Sequence, residues 1–417
     1  QNYVGSNNIN LLLPNGQFGT RLHGGDDSAS ERYIFTQLNP LTRYIFPDVD
    51  DAVLNYLDDD GTTVEPEYYV PIIPFALMNG ISGIGTGFSC SIAPYNPKEI
   101  IHYLKRMLKN EPLGNSDGFV PYYEGFKGTI KKIEDKKYAI KGCYEKLGDD
   151  KIRITELPVG TWTMPYTSFL ETLVDGQIDN KTGKRGTPVL KDFSSICTEV
   201  TVDIVVVFPR GRLDELETVR DATDCNGVEK LLKLQTTVST TNMHMFDKDC
   251  KLHKYDSVEE IIIDFYDVRI QMYQKRKDQQ LAEMRHKLVK LSNKATYIQE
   301  TLSGTIDLRR MKSDAVTELL SKKQYDKIEG DYKYLIKMPM DSVTEENVAN
   351  IMNEKTTTES NIDTLLKTNV ETIWFRELTV LESEYDKYKL QREKVQAGGG
   401  KTKSGTTAAK KVIRKKK

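Results

Sequence analysis

The sequence has few cysteines, few histidines and no long apolar segment. Its 5 cysteines are scattered without a Cys-x-x-Cys pair, and its 5 histidines are spread too widely to suggest a metal centre or a catalytic triad. A disulfide framework and a structural zinc are therefore not expected, and a reducing compartment is favoured. The strongest apolar run, Val202–Phe208, has the length of a strand and not of a membrane span.

The near-neutral total charge is the sum of two regions of opposite sign. The chain has 59 Lys and Arg against 61 Asp and Glu, a formal net charge of −2. Residues 397–417 hold 8 of the basic residues and no acidic one, so 59 − 8 leaves 51 basic against 61 acidic residues in 1–396. The body is acidic, and the basic tail is disordered by composition. The total charge is therefore no argument against a nucleic-acid partner.

The length of 417 residues suggests two to four domains, and local patterns divide the chain into four segments. Residues 1–90 combine turn signals with short apolar runs, which predicts a small mixed α+β unit. Residues 91–253 hold strand-like segments separated by Gly, Asp and Asn clusters, so a mostly antiparallel α+β domain is expected. Residues 254–390 are helical in pattern, and 391–417 form the tail.

A long antiparallel coiled coil is predicted within the third of these segments. Ser257-x-x-Glu260 is a capping box that starts a helix. Apolar residues then recur at steps of three and four, which indicates a heptad seam with a partner helix. The seam consists of Leu281, Met284, Leu288, Leu291, Ala295, Ile298 and Leu302. A second stripe predicts the return helix and consists of Leu366, Val370, Trp374, Leu378, Leu381, Tyr385 and Tyr388. Residues 303–357, between the two stripes, are expected to form a small helical cap.

Other patterns have an ordinary structural explanation. The Gly-rich string at 397–402 lacks the first glycine of a phosphate loop and follows no strand, so it is interpreted as flexible tail. The acidic run Asp48–Asp51 could bind a divalent ion, but a solvated loop is more typical of such a stretch. Ser28-x-x-Glu31 has the pattern of a capping box, so Tyr33 could be an aromatic packed at a helix or strand start. These patterns alone favour a coiled-coil scaffold or a partner-binding protein.

Seven strings distributed from Gln1 to Tyr273 carry a resemblance to a known family. They read QNYVGSNNINLLLPNGQFGTR, GGDDSASERYIFT, EPEYYVPIIP, NGISGIGTGFS, ITELPVGTWT, KLQTTVSTTNMHMFD and KYDSVEEIIIDFYDVRIQMY. In this order they closely resemble the breakage–reunion region of eukaryotic-type DNA topoisomerase II, a type IIA topoisomerase. The similarity continues, more weakly, to about residue 390.

The resemblance implies a catalytic pair at Arg32 and Tyr33. In this family the tyrosine attacks a DNA phosphate and forms a 5′-phosphotyrosyl link on each strand of a staggered double-strand break. A phenol is a weak nucleophile at neutral pH, so it needs a base and stabilisation of the charged transition state. An arginine suits that requirement because its planar cation can bind a phosphate through two donors. The covalent link keeps the phosphodiester energy, so religation needs no other energy source.

The resemblance also implies a DNA-bending surface. Ile84 matches the family's intercalating wedge, an apolar side chain that partly unstacks the bases in exchange for a bend. Without the resemblance, this isoleucine would be expected in a core. Trp162 and a polar run match positions that line the bent DNA, and the hydroxyl and amide groups of the run are suited to sequence-independent phosphate contacts. The run comprises Lys233, Gln235, Thr236, Thr237, Ser239, Thr240 and Asn242.

The fold implied by the resemblance is an α+β multidomain arrangement. Residues 1–90 would be the C-terminal part of a winged-helix domain, and 91–253 a mixed α/β tower (shoulder) domain that bends DNA. Residues 254–390 would form a long antiparallel coiled-coil arm with a helical C-gate dimerisation globule, followed by the disordered basic tail at 391–417. A homodimer on double-stranded DNA is expected, because two tyrosines must cut two strands.

Mg²⁺, ATP and further domains are implied for the complete enzyme. In the family an ATPase gate and a metal-binding (TOPRIM) domain precede this region, so no metal or ATP ligand is assigned here. The chain is interpreted as the C-terminal part of a larger enzyme, or as a subunit that needs that part in trans. ATP-driven duplex passage would relax and decatenate DNA in the nucleus or in the replication compartment of a large DNA virus.

Two departures from the family pattern are noted, and one alternative function stays open. Glu31 stands where relatives commonly have proline, which brings a carboxylate close to the DNA, and Tyr68 replaces a common tryptophan. The alternative is a catalytically silent DNA-binding coiled-coil dimerisation module. The two functions differ in whether Tyr33 forms a covalent bond to DNA. No membrane partner is expected for either.

Overall fold

The computed structural model describes residues 1–113, 118–176, 186–309, 311–339 and 343–397. These residues form two compact units. The first unit contains Gln1–Ile45, Ile73–Phe265 and the described residues from Leu378 on, and the second contains Phe46–Ile72 and Tyr266–Glu377. The four predicted segments cross these units, and that finer division stays a prediction. The prediction of a disordered tail at 391–417 is wrong for residues 391–397, which belong to the last helix, and the rest of the predicted tail lies outside the described residues.

The described residues combine fifteen short strands with eleven helices. The strands, in chain order, are β1 (Leu12–Pro14), β2 (Thr36–Leu38), β3 (Tyr56–Asp59), β4 (Thr62–Pro66), β5 (Ile81–Gly85), β6 (Phe88–Ile92), β7 (Thr129–Glu134), β8 (Lys137–Lys141), β9 (Cys143–Gly148), β10 (Lys151–Glu156), β11 (Asp192–Ser195), β12 (Ile204–Val207), β13 (Gln235–Ser239), β14 (His244–Phe246) and β15 (Leu252–Lys254). The helices are α1 (Thr42–Ile45), α2 (Phe75–Asn79), α3 (Pro97–Leu108), α4 (Thr163–Asp175), α5 (Arg212–Thr218), α6 (Gly227–Leu231), α7 (Val258–Leu302), α8 (Ser313–Lys322), α9 (Lys333–Ile336), α10 (Glu345–Lys367) and α11 (Val370–Ala397). Two 3₁₀ turns lie at Glu31–Tyr33 and Asp48–Val53. Within the described ranges, no helix is both long and apolar enough to cross a membrane.

Antiparallel sheets and α4 build the main core of the first unit. One sheet has the order β11-β12-β10-β9, and a second has the order β13-β8-β7. The apolar run at 202–208 forms β12, as its length predicted, and Ile204 and Val206 are fully buried on one face of the strand. They pack with Ile152 of β10 and Leu170 of α4. Alternation of buried residues along the strands therefore fixes which face of the first sheet meets the helix.

The long helix α7 begins as the sequence predicts. The Glu260 backbone N–H donates to Ser257 Oγ at 3.2 Å, and Asp256 N–H donates to the Glu260 carboxylate at 2.7 Å. These two bonds satisfy N–H groups that a helix start otherwise leaves without partners. The helix then runs without a break for 45 residues. The predicted long helix is thus confirmed.

In the second unit, the seam of α7 packs against a helix that the sequence did not predict. Leu291, Ala295 and Ile298 form a buried cluster with Ile351 of α10, and Lys287 pairs with Glu354 at 2.7 Å. The return therefore begins at Glu345, and the prediction that residues 303–357 form only a cap is wrong in its second half. The run of threonines at 356–358 disfavours a helix by propensity. Their hydroxyls donate to the carbonyls four residues earlier, so the run is accommodated within α10.

Residues 303–339 do form a small cap, apart from the undescribed residue 310. Ile306, Leu320 and Leu335 are buried there together with Tyr297 of α7. The cap closes the end of the helix pair with an apolar cluster of its own.

The acidic run at Asp48–Asp51 is not simply a solvated loop. Asp50 is buried, and its carboxylate accepts from Arg269 at 2.8 Å and from Arg276 at 3.2 Å. Both guanidinium groups lie against the ring of Tyr273, at 4.2 and 4.4 Å from its centroid. Trp374 stacks on the same ring. The solvated-loop interpretation fails for Asp50 because two cations of α7, far away in sequence, neutralise the carboxylate inside the second unit.

Candidate functional site

Tyr33 is an exposed residue at the end of a short turn. The turn comprises Glu31–Tyr33, and the Tyr33 backbone N–H donates to the Ser30 carbonyl at 2.9 Å. The Tyr33 side chain is 71% exposed, and the Arg32 guanidinium carbon lies 5.7 Å from the centre of its ring. The residue before the turn, Ser30, makes no side-chain capping bond. Because most of the Tyr33 side chain is exposed, the alternative of an aromatic packed at a helix or strand start is wrong.

The loop that carries Tyr33 is closed at its base by a strand pair. β1 and β2 are antiparallel, with Pro14 opposite Thr36. Inside the loop, the Asp27 carboxylate accepts from the Thr20 backbone N–H at 2.8 Å and from the Thr20 hydroxyl at 2.5 Å. Burial raises the pKa of Asp27, but these hydrogen bonds outweigh it and hold the pKa below its usual value. A charged Asp27 thus ties the two arms of the loop together.

Trp162 supports this loop from a neighbouring element. Its ring meets that of Tyr3 edge-on at 5.6 Å. Gly24 has φ +66°, and a Cβ there would collide with the indole. A glycine is therefore required at position 24 for two reasons: the backbone is left-handed there, and the Trp162 ring approaches closely. The position predicted to line DNA has a clear packing contact with the loop before Tyr33.

A buried ion pair adds a second connection to the same loop. The Arg21 guanidinium donates to the Glu156 carboxylate, and both side chains are almost fully buried. Glu156 also accepts from the backbone N–H of Lys127 at 3.2 Å and of Leu157 at 2.9 Å. Several hydrogen bonds to one carboxylate are what a buried charge requires. The loop therefore docks onto the end of β10 through a buried ion pair whose carboxylate accepts several hydrogen bonds.

Ile84 lies on a protruding hairpin and not in a core. β5 and β6 are joined by Thr86 and Gly87, and Ile84 is paired with Ser89. The side chain is 93% exposed, and a Cβ on the neighbouring Gly83 would meet no atom within 4 Å. The core interpretation that the sequence alone favoured is therefore wrong. Because the Ile84 side chain packs against little of its own chain, it can enter another molecule without breaking internal contacts.

The predicted polar run falls partly on β13 and partly beyond it. Thr237 and Ser239 are exposed on one face of the strand, while Gln235 and Thr236 are half-buried. Lys233, just before the strand, is exposed, and its ammonium group lies 4.3 Å from the centre of the Phe169 ring. The hydroxyls of Thr237 and Ser239 are thus the accessible ones within the strand.

The last two residues of the run have partners inside the chain. Thr240 is buried, and its backbone N–H donates to the Lys136 carbonyl at 2.9 Å. The Asn242 side-chain amide donates to Ser89 Oγ at 2.9 Å, and its oxygen lies 2.7 Å from His244 Nδ1. The structure therefore brings Asn242 to the hairpin of Ile84. Sequence reasoning missed this contact, since no local pattern connects two segments so far apart.

Neither a metal cluster nor a base for Tyr33 is found among the residues that the structure describes. In that part of the chain, no group of three or more His, Cys, Asp or Glu side chains could hold a metal ion. Within the same residues, no side chain hydrogen-bonds to the Tyr33 hydroxyl. We therefore assign no residue of this chain to Mg²⁺ or to proton removal from Tyr33.

Comparisons with known proteins agree along most of the chain. A family model that describes the A subunit of DNA gyrase/topoisomerase IV matches residues 1–379. DNA topoisomerase 2 of Arabidopsis thaliana is 38% identical over 95% of this chain and 28% of its own length. DNA topoisomerase 2 of Bombyx mori is 45% identical over 78% of this chain and 20% of its own length. The chain therefore spans less than a third of these relatives.

A solved structure gives the same result. The crystal structure of the Plasmodium falciparum topoisomerase II DNA-binding, cleavage and re-ligation domain superposes with a TM-score of 0.81. It is 34% identical in sequence, and the match covers 94% of this chain and 54% of that structure. The mixed α/β fold with its long helix is thus the fold of that domain. With the family model matched over residues 1–379, the chain belongs to the family of DNA gyrase and topoisomerase IV A subunits and resembles its eukaryotic topoisomerase 2 members.

Proposed function

We propose that this chain is the DNA breakage and rejoining part of a type II DNA topoisomerase. The observation that carries the proposal is the exposed Tyr33 beside Arg32, at the position where the family has its nucleophile. The Tyr33 hydroxyl oxygen would form a bond to a backbone phosphorus while the bond to the 3′-oxygen breaks. The phenol gives up its proton to a base, and the leaving 3′-oxygen takes one up.

Arg32 would stabilise the charge on the reacting phosphate. A guanidinium presents two parallel donors that match two phosphate oxygens, and it remains charged at any pH of interest. The 5′-phosphotyrosyl product is an ester of the same kind as the bond that was broken. The reverse attack by the 3′-hydroxyl therefore restores the DNA without another energy source.

The hairpin of Ile84 would act as a wedge that bends the cleaved duplex. Insertion of an apolar side chain between base pairs costs a few kcal/mol per step, which the contacts made by bent DNA can offset. Exposed Thr237 and Ser239 on β13, with Lys233 beside them, are candidates for phosphate contacts that position the duplex. The proposed DNA surface also includes residues that are half-buried or buried and would support the exposed ones. They are Trp162, Gln235, Thr236, Thr240 and Asn242.

The complete enzyme would be a homodimer with further domains. In this proposal residues 1–90 end a winged-helix domain, 91–253 form the tower, and 254–390 form the arm and the C-gate dimer contact. ATP and Mg²⁺ would bind to the ATPase and TOPRIM domains, and the described residues offer no metal cluster of their own. ATP-driven passage of one duplex through another would relax and decatenate DNA, in the nucleus or in a viral replication compartment.

A covalent-adduct assay tests the proposed chemistry. The chain is mixed with labelled duplex, Mg²⁺ and the family's ATPase and metal-binding domains, then denatured and analysed for protein-linked DNA. We expect an adduct from the unaltered chain and from Tyr68→Phe, a control at a second exposed tyrosine. Tyr33→Phe should give none. Absence of an adduct from the unaltered chain, or its survival in Tyr33→Phe, would overturn the proposal.

The alternative function is a silent DNA-binding coiled-coil dimerisation module. A silent module would bind and bend DNA but would give no adduct even when the other domains are supplied. The same assay, read together with DNA binding, therefore separates the two functions.

A further inference from the structure

The hairpin that presents Ile84 is short and free-standing for most of its length. All residues from Ile81 to Gly87 are exposed. A two-stranded hairpin without further support is at best marginally stable in water. A wedge must nevertheless resist the force of the base pairs that it separates. The hairpin therefore needs support at its base.

Backbone and side-chain hydrogen bonds supply part of that support. The Ser91 backbone N–H of β6 donates to the Asn242 carbonyl at 2.8 Å, which joins the hairpin to the segment before β14. The Asn242 amide nitrogen donates to Ser89 Oγ at 2.9 Å. Its amide oxygen lies 2.7 Å from His244 Nδ1. Both ends of the Asn242 amide thus have a partner inside the protein, which fixes the orientation of this side chain against the hairpin.

An aromatic contact supplies the rest. Phe88 follows the turn of the hairpin and is paired with Gly85, where a Cβ would come within 2.6 Å of the Phe88 ring. The ring of Phe246, on β14, meets that of Phe88 edge-on at 6.1 Å. Phe246 is otherwise 62% exposed. Phe246 is thus a mostly exposed aromatic residue whose ring contacts the hairpin of Ile84. This contact is what a support for the hairpin would provide.

We infer that Asn242 and Phe246 are positioning residues that brace the Ile84 hairpin, so that the wedge keeps its angle while it unstacks DNA. The inference rests on the proposed function of Ile84 as a wedge. It differs from the expectation that Asn242 binds a phosphate. The brace acts through the hairpin, so its loss should lower bending more than DNA affinity.

Bending is measured by energy transfer between dyes at the two ends of a duplex that is saturated with the chain. The variants are Phe246→Ala and Asn242→Ala, with Ile84→Ala as the reference for a missing wedge. Leu252→Ala is the matched control, because Leu252 is exposed and lies opposite Phe246 in the β14–β15 pair. We expect the bent-to-straight ratio to fall by about threefold to tenfold in Phe246→Ala, as loss of one aromatic contact allows. The control should keep its bending.

Affinity and rescue separate bracing from direct DNA contact and from misfolding. Phe246→Tyr, which keeps the ring, should restore bending, and thermal unfolding of each variant shows whether it is folded. Asn242→Ala should bend DNA less while its affinity for DNA stays close to that of the unaltered chain. A reduced affinity with normal bending would instead make Asn242 a phosphate contact and overturn its assignment as a brace.

Two further outcomes would contradict the inference. Normal bending in Phe246→Ala, with bending lost in Ile84→Ala, would show that the wedge needs no brace. Normal bending in Ile84→Ala would remove the wedge and the brace together. The adduct at Tyr33 is read separately, so a failure of the cleavage proposal is not confused with either result.

Discussion

One site in each unit of the chain shows the contrast between exposed and buried residues. In the first unit, Tyr33 and Ile84 are largely exposed although both are large and mostly apolar. In the second unit, Asp50, Arg269 and Arg276 are buried although all three carry charge. The side chains of Tyr33 and Ile84 are accessible to another molecule, whereas the buried charges of the second unit are held by ion pairs inside the protein. The comparison separates residues that we propose act on DNA from residues that hold the second unit together.

The largest expected effect comes from breaking the buried charge network. Asp50→Asn removes the carboxylate that accepts from Arg269 and Arg276. We expect a loss of about 3–5 kcal/mol in the free energy of unfolding, since the buried Arg269 loses its carboxylate partner and Arg276 keeps only Glu377. Urea unfolding measures the loss. Asp59→Asn, at an exposed aspartate, should change it by less than about 0.5 kcal/mol, and an equal effect of both variants would contradict this account of the buried charge network.

The next effect concerns the support under the loop of Tyr33. Gly24→Ala would strain a left-handed backbone and press a methyl group into the Trp162 ring. We expect a loss of about 2–4 kcal/mol in unfolding free energy from the two causes together, with a lower yield of the Tyr33 adduct.

Gly160→Ala is the matched control for this prediction. Gly160 has φ +83° and open space at its Cβ, so it shares the strain without the clash. If Gly160→Ala is as damaging as Gly24→Ala, the ring contact is not what supports the loop.

A smaller effect is expected from the charge of Asp27. Because its folded-state pKa is lowered, its contribution to stability is present above the unfolded pKa and is lost as pH falls through the folded one. Asp27→Asn should therefore reduce stability at neutral pH and have little effect in acid. Unfolding measured between pH 7 and acid checks this. A difference between variant and unaltered chain that persists in acid would contradict it.

The smallest effect on stability, with a large effect on function, is expected at Ile84. Ile84→Ala removes a side chain in open space, so the free energy of unfolding should change by less than about 0.5 kcal/mol. DNA bending and cleavage should nevertheless fall. A clear loss of stability would show that Ile84 packs in the protein, and the contrast between the two units would then be lost at this residue.

Local patterns in the sequence predicted the elements better than the contacts between them. The apolar run Val202–Phe208 and the capping box at Ser257 predicted β12 and the start of α7 because both signals are local. The start of α10 was missed because the return helix was predicted from an apolar stripe that begins only at Leu366. The Asp50 network was missed for another reason. Its partners are more than two hundred residues away, and no pattern in the sequence joins them.

The candidate site was predictable only through resemblance to the family. Nothing in the spacing around Tyr33 distinguishes it from the 21 other tyrosines. Isoleucine is a residue type that is usually buried, so Ile84 alone would be expected in a core. The supports of the site could not be predicted even from the resemblance. Arg21 with Glu156, and Asn242 with Ser89, become neighbours only through the tertiary fold.

The most direct test of the account is to identify the amino acid that is joined to DNA. The denatured adduct is digested with protease and nuclease, and the nucleotide-bearing peptide is sequenced by mass spectrometry. We predict that Tyr33 carries the modification, through the 5′-phosphate of the cut strand. A nucleotide on any other tyrosine, or a link to the 3′-end, would contradict the account.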